Sequence, residues 1–220
     1  MKYYQEISIL PDPEISPYFI WQKLYNQLHI ALADVKNQHG IEGIGVSFPE
    51  YRYEENNGKC FATLGAKLRI FAKTKEDLFT LDIKTWLNRL TDYVHIKSIR
   101  EVPENAIPVI FMRHKTKGAA RIEKDMQSFA KRMAEKTNKP LTECLAKLAK
   151  TKPMPNYSKL PYINLESEQT KKQNPDKARK FPMFIQRIEP ELTEEIKNAE
   201  GKFNSYGLGV NKNSSIVFEF

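Results

Sequence analysis

The sequence predicts an α+β protein, and three observations carry that prediction. Hydrophobic periods of two and of 3.6 residues alternate over about the first 100 residues, in the order β-α-β-β-α-β. The periodicity changes from Glu104 onward, and 220 residues with a hydrophobic fraction of 40% suffice for a buried core. We therefore expect a ferredoxin-like (RRM-like) domain over residues 1–104 and a C-terminal domain over residues 105–220, with a basic helix and a small β-structure.

The first helix carries the residue of greatest chemical interest, His29. Ser16 is a suitable N-cap and Pro17 a suitable first helical residue. One apolar stripe is formed by Trp21, Leu24, Leu28 and Leu32. His29 lies about 100° from the centre of that stripe, at the edge of the buried face, with Tyr25 one turn below it. A histidine there suits a general base, because imidazole titrates near neutral pH; the alternative is a helix-edge histidine without a chemical role.

The other elements of the first domain follow from alternation and helical spacing. Strands are predicted at Tyr3–Leu10, Ile44–Phe48, about Phe61–Ala72 and Val94–Val102, and a helix at Lys75–Leu90. The polar run Glu54–Lys59 is typical of a hairpin turn or loop. Phe61–Leu68 lacks the aromatic-rich consensus with which RNA-recognition modules stack bases, so this domain would bind RNA by another route.

The C-terminal part is built around a basic connector, Arg113–Arg121, and a helix. That helix has its apolar side at Ile122, Met126, Phe129 and Met133, and Asp125 is spaced to pair with Arg121. Further elements are a short strand at Val109–Met112, a helix at Thr142–Ala149, strands at Tyr162–Leu165 and Phe181–Ile188 around a polar loop at Glu168–Lys180, and a hairpin over Phe203–Phe220.

The charge of the chain is concentrated in one segment. Residues 111–160 contain 13 Lys and Arg but four Asp and Glu, a net of +9, whereas the whole chain carries +8. A basic segment beside a near-neutral remainder favours a polyanion partner, most often nucleic acid; the alternative is a solvated, lysine-rich surface.

Several classes of protein are not indicated. Cys60 and Cys144 lie far apart in sequence, without metal-ligand or redox spacing, which favours reduced thiols in the cytoplasm. We expect no metal site and no cofactor. No signal peptide is recognisable, and no apolar run approaches the length that spans a membrane, so we expect no membrane partner.

Six short blocks in a fixed order resemble a known family. They are Pro11–Glu14, Leu28-His29 with Ala31-Leu32, Ile44–Pro49, Leu64-Gly65 with Lys67–Ile70, Ser167–Thr170 and Ser205–Leu208. In this order they resemble the endoribonucleases that process CRISPR repeat RNA in the type I-F (Csy) system. The resemblance runs almost from end to end.

The resemblance implies a fold, a reaction and a site. The fold is a ferredoxin-like domain joined to a part with a basic helix. The reaction is one metal-independent cut at the 3′ base of the repeat hairpin, by attack of a 2′-hydroxyl that leaves a 2′,3′-cyclic phosphate and a 5′-hydroxyl. The implied catalytic residues are His29 to take or polarise the proton, Ser167 to hold the ribose hydroxyl, and Tyr206 to fix the imidazole or the backbone beside the scissile phosphate. Without the resemblance, Ser167 is an ordinary loop serine and Tyr206 a buried aromatic.

The implied partners are CRISPR precursor RNA, the mature crRNA hairpin and other subunits of the type I-F surveillance complex. The residues expected to contact RNA are Arg113, Lys115, Lys117, Arg121, Lys124, Lys131, Arg132, Lys171 and Lys172. The chain departs from the family in that its helix has fewer arginines, and in that Arg113-His114-Lys115 stands where the family has Arg-x-Gln. Because lysine suits guanine and glutamine suits adenine, Lys115 would read a different base or only a phosphate.

Two other functions stay open at the level of the sequence. One is a catalytically silent RNA-binding subunit of the same complex, although retention of all three candidate catalytic residues favours an enzyme. The other is a general RNA chaperone without sequence preference, which would bind a scrambled stem equally well.

Overall fold

A computed structural model describes residues 1–116, 118–149, 158–166, 180–191, 201–212 and 215–220. Its helices are α1 (Pro17–His39), α2 (Lys75–Leu81), α3 (Ile83–Trp86), α4 (Ala119–Thr137) and α5 (Leu141–Ala149). Its strands are β1 (Tyr3–Ile9), β2 (Gly45–Ser47), β3 (Arg52–Asn56), β4 (Lys59–Thr63), β5 (Lys67–Ala72), β6 (Val94–Ile96), β7 (Arg100–Glu101), β8 (Ile107–His114), β9 (Tyr162–Glu166), β10 (Lys180–Ile188) and β11 (Val217–Glu219). The protein is therefore α+β, as the sequence predicts.

The described strands form three antiparallel sheets. The first has the order β2-β5-β1-β6, with β7 also paired to β1. The second has the order β11-β8-β10-β9, and β3 pairs with β4 in a separate hairpin whose β3 residues are all exposed. By contact the chain divides into one compact unit of Met1–His114 with Leu160–Phe220, and a second unit of Lys115–Lys159 that holds α4 and α5.

The core of the larger unit is the buried face of α1 packed on the first sheet and on β9. Trp21, Leu24 and Leu28 are almost fully buried, and the Trp21 indole donates to the Gly65 carbonyl at 2.9 Å. Phe48 and Phe111, whose ring centres are 5.2 Å apart, join the loop after β2 to the second sheet. This packing fixes one face of α1, so residues at the edge of that face are held in place but stay partly accessible.

One charged cluster is buried between β1 and β5. The Glu6 carboxylate accepts from Arg69 Nε at 2.7 Å and from Lys97 Nζ at 2.6 Å, and Glu6 and Arg69 face each other in the register of the two strands. Arg69 also donates to the Phe220 carbonyl at 2.9 Å, with its guanidinium 3.9 Å from the centre of the Phe220 ring. The cluster therefore ties the C-terminal segment to the first sheet.

Three predicted elements of the first half are divided in the structure. The strand expected over Phe61–Ala72 is interrupted at Gly65, whose φ of +73° turns the chain, so that β4 belongs to the hairpin and β5 to the sheet. The helix expected over Lys75–Leu90 is divided into α2, α3 and a short 3-10 helix at Asn88–Leu90, and Asp82, with a φ of +38°, separates α2 from α3. The strand expected over Val94–Val102 is observed as β6 and β7, which pair with different ends of β1.

The hairpin predicted over Phe203–Phe220 is wrong in its pairing. β11 pairs with β8, in the register Val217 to Val109, and not with residues 206–208. Residues 203–209 instead form a loop, whose Gly209 N–H donates to the Phe111 carbonyl at 2.8 Å. That loop meets the edge of α1 at His29.

Candidate active site

His29 lies where the helical spacing predicts, half-buried at the edge of the packed face of α1. The helix begins as expected: Ser16 Oγ accepts from the Tyr18 amide at 3.4 Å, and Pro17 is the first helical residue. It runs to His39, seven residues beyond Leu32, the last residue of the predicted apolar stripe. Gly40, with a φ of +68°, ends the helix, and its amide donates to the Lys36 carbonyl. His29 is thus held on a rigid element rather than on a loop.

The side chain of Asn204 organises the loop opposite His29. Asn204 Oδ1 accepts from the amides of Tyr206 at 2.8 Å and Leu208 at 3.3 Å, and the Asn204 amide donates to the Leu208 carbonyl at 2.8 Å. Gly207 has a φ of +70°, and a Cβ built there would lie 2.7 Å from Val46 Cγ1. This turn accordingly requires glycine at position 207, and its shape fixes where the Ser205 carbonyl points.

The Ser205 carbonyl determines which nitrogen of His29 carries a proton. The distance from His29 Nδ1 to Ser205 O is 2.7 Å. A carbonyl oxygen only accepts, so Nδ1 must be the donor. In the neutral ring Nε2 is then left with its lone pair, which is the tautomer that a general base at Nε2 requires.

Aromatic stacking fixes the plane of the imidazole. The His29 and Tyr206 ring centres are 4.1 Å apart with an angle of 13° between the planes, and Tyr25 stacks on Tyr206 at 6.4 Å. The Tyr25 hydroxyl donates to the Tyr206 carbonyl at 2.9 Å. The expectation that Tyr25, one turn below His29, supports the imidazole is wrong, because the ring stacked on His29 is that of Tyr206 and Tyr25 stacks on Tyr206 instead.

Both tyrosines stay protonated at neutral pH. Burial raises the pKa of the Tyr25 phenol well above its usual value, and the neighbouring Tyr206 adds to the shift. Burial also raises the pKa of Tyr206, although the positive charge of Arg113 acts in the opposite direction. The Tyr206 phenol is therefore no base at neutral pH, its ring stacks on His29, and Arg113 acts electrostatically on it.

Ser167 lies outside the described residues, as do Lys117, Lys171 and Lys172. The residue before Ser167 is described: Glu166 Oε1 accepts from Gln22 Nε2 of α1 at 3.3 Å. Gln22 precedes His29 by seven residues, or two turns of the same helix. β9 thus ends beside the helix that carries His29.

The other candidate RNA contacts are exposed cations. In the larger unit, the Arg113 guanidinium lies 5.7 Å from the centre of the Phe181 ring. In the smaller unit, α4 exposes Arg121, Lys124, Lys131 and Arg132, along with Lys115 before it. Arg121 pairs with Asp125 at 3.0 Å, as the spacing predicts, whereas Phe129 is 54% exposed and Ala130 is buried in its place.

Three parts of the site, namely Asn204, the Ser205 carbonyl and Gln22, are not predicted from the sequence. An Asn-x-x-Gly tetrapeptide, here Asn204–Gly207, is typical of a turn stabilised by its own side chain, so the turn could have been recognised. Its contact with α1 could not, because a backbone carbonyl has no sequence signature.

The described residues contain neither a metal-binding cluster nor a membrane-spanning helix. No group of three or more His, Cys, Asp and Glu side chains is placed among them to hold a metal ion. Nor does any helix in this part of the chain combine the length and apolar character needed to cross a membrane.

Comparison with known proteins gives matches over almost the whole chain. A family model described as CRISPR-associated protein (Cas_Csy4) matches residues 4–217. Two relatives named CRISPR-associated endonuclease Cas6/Csy4, from Escherichia coli (strain UTI89 / UPEC) and Pseudomonas aeruginosa (strain UCBPP-PA14), are each 28% identical over 94% of this chain and 95% of their own length. A solved structure described as "An RAMP protein binding different RNA substrates" aligns over 99% of both chains, with 12% identity and a TM-score of 0.36.

Proposed function

Since the chain belongs to the Csy4 family of CRISPR-associated proteins, we propose that it is an endoribonuclease that cuts CRISPR precursor RNA beside His29. This membership confirms the resemblance read from six short sequence blocks. One observation carries the proposal: the 2.7 Å contact from Nδ1 to the Ser205 carbonyl leaves His29 Nε2 as a proton acceptor at the half-buried edge of α1.

The proposed reaction is a transesterification at the 3′ base of the repeat hairpin. His29 Nε2 takes the proton of the 2′-hydroxyl that precedes the scissile phosphate, and the 2′ oxygen bonds to phosphorus. The bond from phosphorus to the 5′ oxygen breaks, and that oxygen leaves as a hydroxyl after it takes up a proton. The products are a 2′,3′-cyclic phosphate and a 5′-hydroxyl.

The other two candidates have supporting roles in this proposal. Tyr206 holds the imidazole plane by stacking at 4.1 Å. Ser167 orients the 2′-hydroxyl in line with phosphorus, an effect that supplies several kcal/mol in comparable reactions. The hydrogen bond between Gln22 of α1 and Glu166, the described residue before Ser167, supports the proposal.

In the proposed recognition of RNA, the N-terminal part of the chain provides the base and the C-terminal part contacts the RNA. Residues 1–104 form a ferredoxin-like domain that carries the base, and the order β2-β5-β1-β6 with α1 and α2 supports that assignment. Residues 105–220 contact the RNA, through Arg113, Lys115 and the exposed cations of α4. Lys115 reads a base or only a phosphate, and equal cleavage of repeats with either purine at that position would exclude base reading.

We further propose that the chain stays bound to the mature crRNA hairpin and joins other subunits of a type I-F surveillance complex. The family membership supports both steps. A cytoplasmic location rests on the wide spacing of the two cysteines.

The first test is single-turnover cleavage of a type I-F repeat hairpin in excess EDTA, with the native chain and with His29→Ala. We expect the native chain to cut without metal and the variant to lose at least about 100-fold in rate, as removal of a general base does, while it still binds the hairpin.

Three other results of these cleavage and binding measurements would contradict part of the proposal. Binding by both proteins without cleavage by either would identify a silent RNA-binding subunit. Cleavage that EDTA abolishes would overturn the metal-free reaction. Equal binding of a scrambled stem would favour a general RNA chaperone.

A further inference from the structure

A surface cavity of about 610 Å³ lies between the N-terminal half of α1 and the turn that follows α3. Three aromatic side chains line it, namely Phe19, Trp86 and Tyr93, and Phe19 is 48% exposed. Two cations line it as well: Lys23, whose Nζ lies 5.2 Å from the centre of the Phe19 ring, and Arg89. None of the described residues that line this cavity is an aspartate or a glutamate.

This combination of groups suits unpaired nucleotides. Bases stack on aromatic faces of any kind, and cations beside those faces pair with the phosphates. A protein segment could fill the same volume, but the exposed face of Phe19 and the positive, carboxylate-free lining are what a base and its phosphate need. The chemistry of the cavity therefore favours single-stranded RNA over a peptide.

The cavity shares α1 with the candidate active site. On ideal helix geometry Phe19 lies about 15 Å along the axis from His29 and about 80° around it, a span of a few nucleotides. From Pro17 to Ala33 the helix has no acidic residue, and Lys23 is its only Lys or Arg. A strand that leaves His29 along the exposed face of α1 therefore meets no repelling side chain of that helix before Phe19.

We propose that this cavity binds the unpaired nucleotides that follow the scissile phosphate on its 3′ side. The inference rests on the proposed function, because the strand is that of the RNA cut beside His29. Phe19 stacks a base, and Lys23 and Arg89 neutralise the phosphates on either side of it.

A second cavity provides a matched control. It has a volume of about 390 Å³, and its lining includes Phe79 and Lys75, an exposed phenylalanine with a lysine 5.6 Å from its ring centre, but also Asp82. Those residues lie on and after α2, and none of the described residues that line this cavity belongs to α1. Removing the pair Phe79 and Lys75 changes the charge and the apolar surface of the protein as much as removing Phe19 and Lys23.

The experiment compares the binding of two RNAs by three full-length proteins. One RNA is the repeat hairpin ending at the cut; the other continues with four unpaired nucleotides and has a 2′-deoxy nucleotide before the scissile phosphate, with its integrity checked by gel. The proteins are the native chain, the double variant Phe19→Ala with Lys23→Gln, and the control Phe79→Ala with Lys75→Gln.

We expect the four nucleotides to lower the Kd of the native chain about tenfold, as one or two stacked bases do. This lowering of Kd by the four nucleotides should vanish in the Phe19 and Lys23 variant and persist in the control. The Kd for the hairpin that ends at the cut should be equal for all three proteins. The inference would be overturned if the four nucleotides did not lower the Kd of the native chain, or if they lowered the Kd of the Phe19 and Lys23 variant equally. Either result would favour a protein partner as the occupant of the cavity. Failure of the native chain to bind the bare hairpin would instead overturn the proposed function, and this inference with it.

Discussion

Asn204 is the residue on which the state of His29 depends, although it does not touch the imidazole. Its Oδ1 holds the amides of Tyr206 and Leu208, and this turn directs the Ser205 carbonyl at Nδ1. An alanine would leave two amides without their acceptor, at a cost of about 1–3 kcal/mol. The carbonyl would then no longer be held against the ring.

We therefore expect Asn204→Ala to slow single-turnover cleavage by about tenfold or more while hairpin binding is unchanged. Asn204→Asp, which keeps an oxygen acceptor, should recover most of the rate. Nitrogen NMR of the His29 ring separates a positioning role from a purely structural one, because the native ring should show Nδ1–H and the alanine variant a mixture of tautomers. An unchanged tautomer in a slow variant would exclude this explanation.

At the scale of single residues, the sequence predicts where a side chain lies on a helix, but it does not predict contacts between distant segments. The edge position of His29 follows from a spacing of 3.6 residues and needs no other part of the chain. Its partner, the Ser205 carbonyl, is 176 residues away and is a main-chain atom. No residue type marks such an atom, so only the folded structure shows that it fixes the tautomer.

At the scale of elements, α4 provides a testable electrostatic surface. Lys124, Lys131 and Arg132 are exposed, whereas Arg121 is paired with Asp125. Replacement of these three exposed cations by glutamine should weaken hairpin binding. It should also reduce the slope of log K against log salt, by about 0.9 for each phosphate that the variant no longer neutralises.

Lys139→Gln is the control for that experiment, because Lys139 follows α4 and pairs with Glu143 at 2.5 Å. It should leave the salt slope nearly unchanged. The triple variant removes three charges and the control removes one. If both change the slope of log K against log salt by the same amount for each charge removed, the surface of α4 makes no specific contact with the RNA, and net charge alone accounts for binding.

Helices, which show in the local pattern of apolar residues and caps, are predicted well. The pairing of strands depends on distant segments and is not predicted. α1 begins at Pro17 as predicted because its cap is clear, and α5 lies within one residue of its expected bounds because it has one apolar face. β11 is assigned to the wrong partner because alternation indicates a strand without indicating its neighbour, and the neighbour is β8. Gly65 and Asp82 divide two predicted elements through positive φ values, which propensity alone does not reveal at these positions.

At the scale of the whole molecule, the buried Glu6 cluster links the first sheet to the C-terminal segment. Burial raises the pKa of the Glu6 carboxyl, but the hydrogen bonds from Lys97 and Arg69 outweigh it, so the pKa lies below the usual value of 4.5. The carboxylate therefore stabilises the fold above that value, and its contribution is lost as the pH falls through the lower pKa of the folded protein.

We expect Glu6→Gln to lower the free energy of unfolding by about 3 kcal/mol at pH 7, because it leaves Arg69 buried without its counter-ion. The difference from the native chain should shrink below pH 4.5, which urea unfolding at several pH values measures. Glu189→Gln is the control: the Glu189 side chain is 80% exposed, and its pair with Arg187 should contribute less than about 1 kcal/mol. A Glu6 difference that stays constant down to about pH 3 would contradict the linkage.

The composition and periodicity predict the fold class of the molecule and a buried core, but they do not define its compact units. Residues 160–220 cluster with residues 1–114, because β8, β10, β9 and β11 form one sheet and β9 packs on α1. Contacts of this kind join distant segments, so periodicity along the chain does not reveal them.

The 176 residues between His29 and its carbonyl partner also bear on how the protein is made. A ribosome completes α1 about 160 residues before it reaches the turn at residues 204–208. Until then the imidazole has neither its stacking ring nor the acceptor that fixes its tautomer. On the proposed function, a nascent chain that contains only the N-terminal sheet has no arranged base, so it does not yet cut RNA near the ribosome.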